Sequence, residues 1–486
     1  MASVVILISV LLVFVNIGYY QAVGDIAAVA DAPTSIKSLD TTFNSIERLK
    51  SALAGILNTT SYEQDTTDTS QAVSSQRIEK DYSVLVHANK SYIFVEDKNG
   101  NVISRRPAGT DDATAIRESI NIIDRGTILF IGTFKIRSRI DNLKSGIHLK
   151  GLPGQTVFDC SEMKTIVFPC GCDDSGYSSV TTSLAEDALK GSRSVKVTDS
   201  SHYDEGDFVK LVDNESIEGF KKGEIQRIPK INGSDINFEE ALNDDYTVKD
   251  DANIRELNVI KDVTIEGISF IGPGIETDVI LISFSLHRNF RFTNNEVTSW
   301  GRAAIYLSDS IDCVIDNNIF ENIYMTGFGY AVAITNACND ICIRDNAFRV
   351  KGRHYITAGA GTGSRNSGGF ARNIKVENNT FEGCLQEAIN THAPFVGPIE
   401  IRDNTFKLCG KGIEIVNGNT VIVDNIFIKC PIGIQLLGDE RRAHEIHSNE
   451  FDGNRVKMII ETKNITVYGN ICDGKFRVDK DEIEFL

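Results

Sequence analysis

Proline is scarce in this chain of 486 residues, with 9, and so are methionine, with 4, and tryptophan, with 1. Positive charge is also short, since the formal net charge is −17 and the isoelectric point is about 5.0. No basic stripe exists to displace counterions along a phosphate backbone, which removes DNA and RNA as partners. Apolar residues make up 41% of the chain, enough for a large buried core, so neither disorder nor a small stapled scaffold accounts for it. What is abundant is glycine, with 39, together with asparagine. That balance suits many short strands joined by tight turns better than packed helices.

Residues Ala2 to Tyr20 form an apolar run with no charge, about the length that spans a bilayer. The first basic residue is Lys37, and no small-x-small cleavage site closes the run. An uncleaved membrane anchor, a cleaved leader and a pilin-like helix packed in a filament core are three readings that the run leaves open. Six Asn-x-Ser/Thr sequons, at Asn58, Asn89, Asn214, Asn232, Asn378 and Asn464, are glycosylation candidates compatible with an exported, extracellular chain held at the cell surface.

From residue 21 to 76, helical patches give way to a Thr/Ser/Asp-rich stretch too polar to build a core, which reads as a stalk and linker. Residues 77 to 108 alternate as strands around a turn at Asn99-Gly100-Asn101, predicting a small β-hairpin. The main domain is expected over 109–486. It opens with an amphipathic helix carrying Ile116, Ile120 and Ile123, the cap that a solenoid needs over its first coil.

An internal repeat carries the fold assignment. Its template, apolar-x-x-Asn-x-Phe, occurs as Ile315…Asn318…Phe320, Ile343…Asn346…Phe348, Val376…Asn379…Phe381, Ile401…Asn404…Phe406, Ile422…Asn425…Phe427 and Ile446…Asn449…Phe451. With degenerate copies at Ile265, Phe292 and Val467, nine copies follow at intervals of 27, 23, 28, 33, 25, 21, 24 and 21 residues. One coil of a parallel β-helix has this period. The Ile and Phe would point inward and stack at about 4.8 Å, while Asn side chains bond along the axis at a bend that tolerates left-handed backbone. A leucine-rich repeat shares the period but does not repeat Phe in this way. The expected class is therefore all-β, a right-handed parallel β-helix with an N-terminal capping helix, an N-terminal hydrophobic helix and a β-rich insertion at about 169–258. Cys384, Cys409 and Cys430 each follow a repeat Asn by five residues, predicting a ladder of buried thiols, with a disulfide as the lesser alternative. Cys170-Gly171-Cys172 has no second pair at zinc spacing, so no metal site is read there.

Thr110-Asp111-Asp112-Ala113-Thr114-Ala115-Ile116 followed by Gly132-Thr133-Phe134 resembles the cap and first strand of the pectin-lyase-like superfamily of parallel β-helix proteins. The insertion, with ALKGSRSVKV, GDFVKL and KGEIQRI in order, is similar to a segment of its phage-tailspike-like and archaeal surface members. The resemblance spans about Thr110 to Gly474. It implies the fold, and leaves open lyase, hydrolase, epimerase or non-catalytic adhesin.

The longest repeat interval holds Arg353-His354-Tyr355 and a Gly/Ser-rich loop before Arg372. Long loops on a rigid solenoid are where sites are grafted. Aligning coils on Ile389, Ile413 and Ile434 turns Asn390 and His392 outward beside Glu414, near Tyr306 and Ser308, with His354 and Thr357 on the preceding coil. His392, His354, Arg353 and Glu414 are the catalytic candidates: an imidazole or carboxylate to move a proton, and an arginine to neutralise a sugar carboxylate or oxyanion. Asn390, Tyr306, Thr357, Arg372 and Glu387 are the substrate-binding candidates, with Tyr306 and Tyr355 available to stack on sugar rings. The Arg-His pair resembles one that tailspike-type proteins follow with Asp-x-His; here Asn390 stands at the acidic position and cannot act as a base. The paired aspartates and Gly-His-Gly of polygalacturonases are missing, as is the Asp cluster of a pectate lyase calcium site. Ca²⁺ stays in play only through scattered carboxylates, and Glu387, Asp403 and Glu414 are the candidates for paired-carboxylate cleavage. The reading is a surface-anchored extracellular protein that binds a polysaccharide, with its cleavage by a lyase or hydrolase reaction left open. The alternative is a non-catalytic structural or adhesive subunit of the envelope, a homo-oligomer or a filament.

Overall fold

The computed structural model describes residues 81–472, apart from 172–176, 218, 360–367, 393, 394, 396 and 439–442, together with the strands Arg477–Val478 and Glu484–Phe485. The apolar run, the stalk, Asn58 and Cys172 lie outside the described residues.

The chain is a right-handed parallel β-helix. One face is a ten-stranded parallel sheet running from Phe168–Cys170 through Ile280–Ser285, Ala303–Ser308, Tyr330–Thr335, His354–Gly359, Glu387–Thr391 and Lys411–Val416 to Arg477–Val478. The other two faces meet at a sharp bend and are joined into one 26-stranded sheet, because early strands such as Ile147–Asp159 run through the bend unbroken. Inside, the repeat phenylalanines stack in register. Ring centroids from Phe348 through Phe381, Phe406, Phe427 and Phe451 are 4.8, 4.8, 4.8 and 4.9 Å apart and nearly coplanar.

The repeat asparagines form a continuous buried ladder. Each amide oxygen accepts the backbone N–H of its counterpart one coil earlier, as in Asn404 N to Asn425 Oδ1 and Asn425 N to Asn449 Oδ1, both 3.0 Å. Each amide nitrogen donates to the next amide oxygen and to a backbone carbonyl of the preceding coil. The left-handed residue that makes the bend is not the ladder asparagine but the one before it: Asn317, Asp345, Asn378, Asp403, Asp424 and Ser448 all have φ between 53° and 57°. Asn, Asp and Ser tolerate that conformation because a short polar side chain bonds locally.

The helix Ala113–Ile122 buries Ala113, Ala115, Ile116, Ser119 and Ile120 over the first coil. Asp112 pins it there, since its Oδ2 accepts from Lys135 N at 2.7 Å. The expected hairpin is a three-stranded unit. Val84–Ala88 and Tyr92–Asp97 turn at Asn89, whose side-chain oxygen accepts from Ser91 N and Tyr92 N, and the turn at Asn99-Gly100-Asn101 leads instead into Val102–Pro107. That third strand is exposed along nearly its whole length, so no alternation of burial marked it in the sequence. Val84–Ala88 also pairs in parallel with Gly126–Lys135, making the unit part of the solenoid sheet.

The insertion folds as a four-stranded antiparallel sheet (Phe220–Arg227, Phe208–Ile217, Asn253–Leu257 and Tyr177–Ser183) and a three-stranded one, with its own core of Val209, Leu211, Ile236, Tyr246 and Ile254. It is tied to the solenoid by Lys210 Nζ and Asp309 Oδ1, 2.7 Å apart and only 2% and 0% exposed. Cys384, Cys409 and Cys430 are buried and unbridged, each thiol donating to backbone carbonyls.

Candidate functional site

The ten-stranded face carries an inward row, Ile282, Ile305, Val332, Ile356, Ile389, Ile413 and Ile434, all fully buried. Because strand side chains alternate, the next residue on each strand points out. That outward row is Ser283, Tyr306, Ala333, Thr357, Asn390, Glu414 and Gln435. To one side of it Tyr330, His354, Glu387 and Lys411 follow one another from coil to coil. To the other side His392 N donates to Ala358 O at 2.7 Å, which folds the His392 ring back toward Tyr330 and His354.

Tyr306, Thr357 and His392 thus share one cleft of about 230 Å³ with Arg302, Phe328, Tyr330 and Thr335. Among the described residues no Asp or Glu lines it. His354 stands behind the wall, 2% exposed, stacked on Tyr330 at 5.9 Å and meeting His392 edge-on at 5.6 Å. Its Nδ1 lies 3.1 Å from Glu387 Oε2. Arg353 donates from Nη1 to the Tyr330 hydroxyl at 2.9 Å and from Nε to Gln386 Oε1 at 3.0 Å. Lys411 sits between two carboxylates, bonded to Glu414 and 3.1 Å from Glu387, while Glu414 also accepts from Asn390 Nδ2 at 2.9 Å.

The electrostatics follow from these contacts. Burial alone would raise the Glu387 carboxyl, but the hydrogen bond and charge of His354, and then of Lys411, outweigh it and hold the group down at about 2. Burial, with His354 and Arg353 nearby, pushes His392 down to about 4, so its imidazole is neutral at pH 7. Four polar atoms in this strip have no partner: His354 Nε2, Thr357 Oγ1, Asn390 Oδ1 and His392 Nε2. Unpaired buried polar atoms are uncommon enough to call for an explanation, and a bound ligand or ordered water is a usual one.

Several expectations need correction. Arg372 does not join the strip: it is 7% exposed and bonded to Asp244 of the insertion, against which its strand end is packed. Tyr355 is fully buried, because its position at the start of the strand turns the ring into the phenylalanine ladder and its hydroxyl donates to Glu382 O at 2.7 Å. Asp403 belongs to the left-handed bend of the other two faces. Ser308 is spent on structure, accepting from Asn336 Nδ2 at 2.6 Å. Glu387 and Glu414 stand beside the cleft without lining it. Among the described residues no group of three His, Cys, Asp or Glu is placed to hold a metal ion. The sequons at Asn89, Asn214, Asn232, Asn378 and Asn464 are all exposed.

Sequence reasoning missed Tyr330, Arg302 and Phe328. Arg302 and Phe328 lie outside the repeat template. Aligning Val332 with Ile356 would have put Tyr330 one coil before His354.

Residues 280–472 match the family model described as right handed beta helix region. Over 215 residues the chain is 25% identical to a capsule K1-specific depolymerase of Klebsiella phage K64-1; the match covers 39% of this chain and 23% of that protein. The chain therefore spans less than a quarter of that relative's length. Among solved structures, it is similar to the tailspike protein gp49 of Pseudomonas phage LKA1 (15% identity, 74% of this chain and 72% of that one, TM-score 0.49). It is also similar to PfbA, a surface adhesin of Streptococcus pneumoniae (14% identity, 74% and 81%, TM-score 0.48).

Proposed function

We propose that this parallel β-helix binds an extracellular polysaccharide in the cleft of the ten-stranded face and cleaves it with His392 as the proton-transferring group. The observation that carries this reading is the cleft wall itself. Tyr306, Tyr330 and the 39%-exposed Phe328 offer ring faces to sugars, and Thr357 and His392, whose Oγ1 and Nε2 are buried without a partner, line the cleft among them. Sequence similarity to a capsule depolymerase supports a polysaccharide over other ligands. The run Ala2–Tyr20 supplies, by its composition, a means of holding the protein at a membrane or in a filament.

A specific observation keeps the adhesive reading in view. The two carboxylates beside the cleft are both tied to Lys411, as befits a surface that only binds. The test uses the full chain on a panel of capsular and other extracellular polysaccharides, following gel retardation and new chain ends, with His392→Ala alongside. Retardation with new ends that His392→Ala abolishes is the expected result. Retardation without new ends establishes the adhesive reading, and no retardation by any polymer overturns polysaccharide binding.

A further inference from the structure

Every described cysteine is a free thiol, so among the described residues no disulfide ties the insertion to the solenoid. Charged pairs do so, and the most deeply buried of them joins Lys210 to Asp309. Lys210 lies on the insertion strand Phe208–Ile217, and Asp309 directly follows the solenoid strand Ala303–Ser308, which carries Tyr306. Their Nζ and Oδ1 are 2.7 Å apart, with side chains 2% and 0% exposed. The surrounding seam is apolar: Phe208, Leu257 and Leu286 are buried together, with Ile225, Val259 and Ile311 packed against them. Ile225 stands opposite Lys210 in the insertion sheet, and Ala337 N donates to Asp309 Oδ1 at 3.0 Å. Ile225 and Ala337 both line a space of about 40 Å³, so room for a released water lies next to the pair. Burial lowers the Lys210 amine from its usual value in spite of the Asp309 charge. At Lys222, 3.3 Å from the buried Asp213, burial also acts downward, but the bond to Glu215 and the charge of Asp213 outweigh it and hold the amine up.

We infer that Lys210 and Asp309 condense to an isopeptide bond, a covalent staple between the insertion and the strand that carries Tyr306. The staple does not depend on what the cleft binds. Two charges in a buried seam both lack the water that would solvate them, and a neutral amide in their place removes both charges at once. Within the pair, the ammonium passes one proton to the carboxylate, leaving a neutral amine against a carboxylic acid. The amine lone pair attacks Asp309 Cγ, and the N–C bond forms. The Ala337 N–H stabilises the negative charge that builds on Oδ1 during this addition. The C–O bond to the departing hydroxyl then breaks, its oxygen takes a second proton from the nitrogen, and one water leaves into the adjoining space. Nothing is oxidised or reduced, and no further reactant is consumed. The other insertion–solenoid pair, Arg372 with Asp244, cannot follow this course, because a guanidinium keeps its proton. Lys222, held charged, stays an ion pair with Asp213.

The experiment takes the full chain, shown to be folded by its β-sheet circular dichroism, unfolds it, digests it with trypsin and reads the peptide masses. Trypsin cuts after a lysine only where the amine is free. The expected result is no cut at Lys210 and a branched peptide in which the segment spanning Lys210 is joined to the segment holding Asp309, lighter by one water than the two together. Lys222 is the internal control and is expected to be cut. Lys210→Arg keeps the charge but cannot condense, so it should release the Asp309 peptide at its own mass and lower the melting temperature by several degrees. Asp309→Ala should expose Lys210 to the protease. A cut at Lys210 in the unaltered chain, with the Asp309 peptide at its own mass, overturns the inference and leaves an ion pair at the seam. The digest of the unaltered chain decides the question whether or not either variant folds.

Discussion

The coils from Ile401 to the end differ from those that carry His354 and Asn390 in how strictly they keep the repeat. In the later coils the phenylalanine rings lie within 8° of parallel, and Gly412 and Gly433 leave room for them, since a Cβ at either would stand 2.5 Å from a ring carbon of Phe427 or Phe451. In the coil of His354 the equivalent position, occupied by Ala331 and Ala388 on its neighbours, is Tyr355. Its ring enters the ladder tilted by 35° against Phe348 and 32° against Phe381. The longest repeat interval begins in this same coil, and the unpaired polar atoms of the cleft flank it. The coils where Tyr355 enters the ladder are also the coils of the cleft and of His354 Nε2, Thr357 Oγ1, Asn390 Oδ1 and His392 Nε2, which lack partners.

The sharpest way to break this contrast is to remove one asparagine from each region. Asn425→Ala strips the Asn404 N–H of its acceptor and four further bonds from a fully buried site, and should cost about 3–5 kcal/mol in urea unfolding. Asn390→Ala removes a single bond to Glu414 and an oxygen with no partner, so its cost should stay within about 1 kcal/mol while polysaccharide retardation weakens. Equal costs would mean that the two regions are not different in kind.

A smaller effect is expected at Gly352, where a Cβ would meet Tyr355 Cε1 at 2.5 Å. Gly352→Ala should destabilise by about 2 kcal/mol, and Tyr355→Leu in the same chain should recover part of that loss, as a double-mutant cycle would show. Additive losses would refute the strain argument.

The smallest effect concerns acid. Glu387 has its folded pKa lowered from 4.5 to about 2, so the stability it contributes is full above pH 4.5 and is lost as pH falls toward 2. Lys411→Met removes one cause of that lowering. The variant should be about 1 kcal/mol less stable at pH 7, with the difference closing between pH 4.5 and 2, followed by denaturant midpoints. A difference that persists at pH 2 would assign the Lys411 contribution to packing.

Much of the fold was legible because a β-helix buries the same residue types at the same place in every coil. Phe348, Phe381, Phe406 and Phe427 announce their own stacking partners at a fixed offset from Asn346, Asn379, Asn404 and Asn425. Part of the site was legible for the same reason, since aligning Ile356, Ile389 and Ile413 brings Thr357, Asn390 and Glu414 into one outward row. Alignment failed where local backbone departs from strict alternation. Tyr355 and Ile356 are adjacent and both point inward, so period two assigned Tyr355 to the wrong side. Arg372 sits at a repeat boundary, and only the insertion packed on it consumes its charge.

The sequence by itself determined the solenoid, its period, its cap and which face His392 and Asn390 share, because those depend on contacts between equivalent positions one coil apart. Only the tertiary structure decided which groups reach the cleft: His354 withdrawn behind Tyr330, Arg353 facing neutral partners, Glu387 and Glu414 held by Lys411, and Arg302 and Phe328 brought in from outside the repeat. The reason is physical, since side-chain burial and ion pairing depend on what covers a position from neighbouring turns, and that information is not periodic.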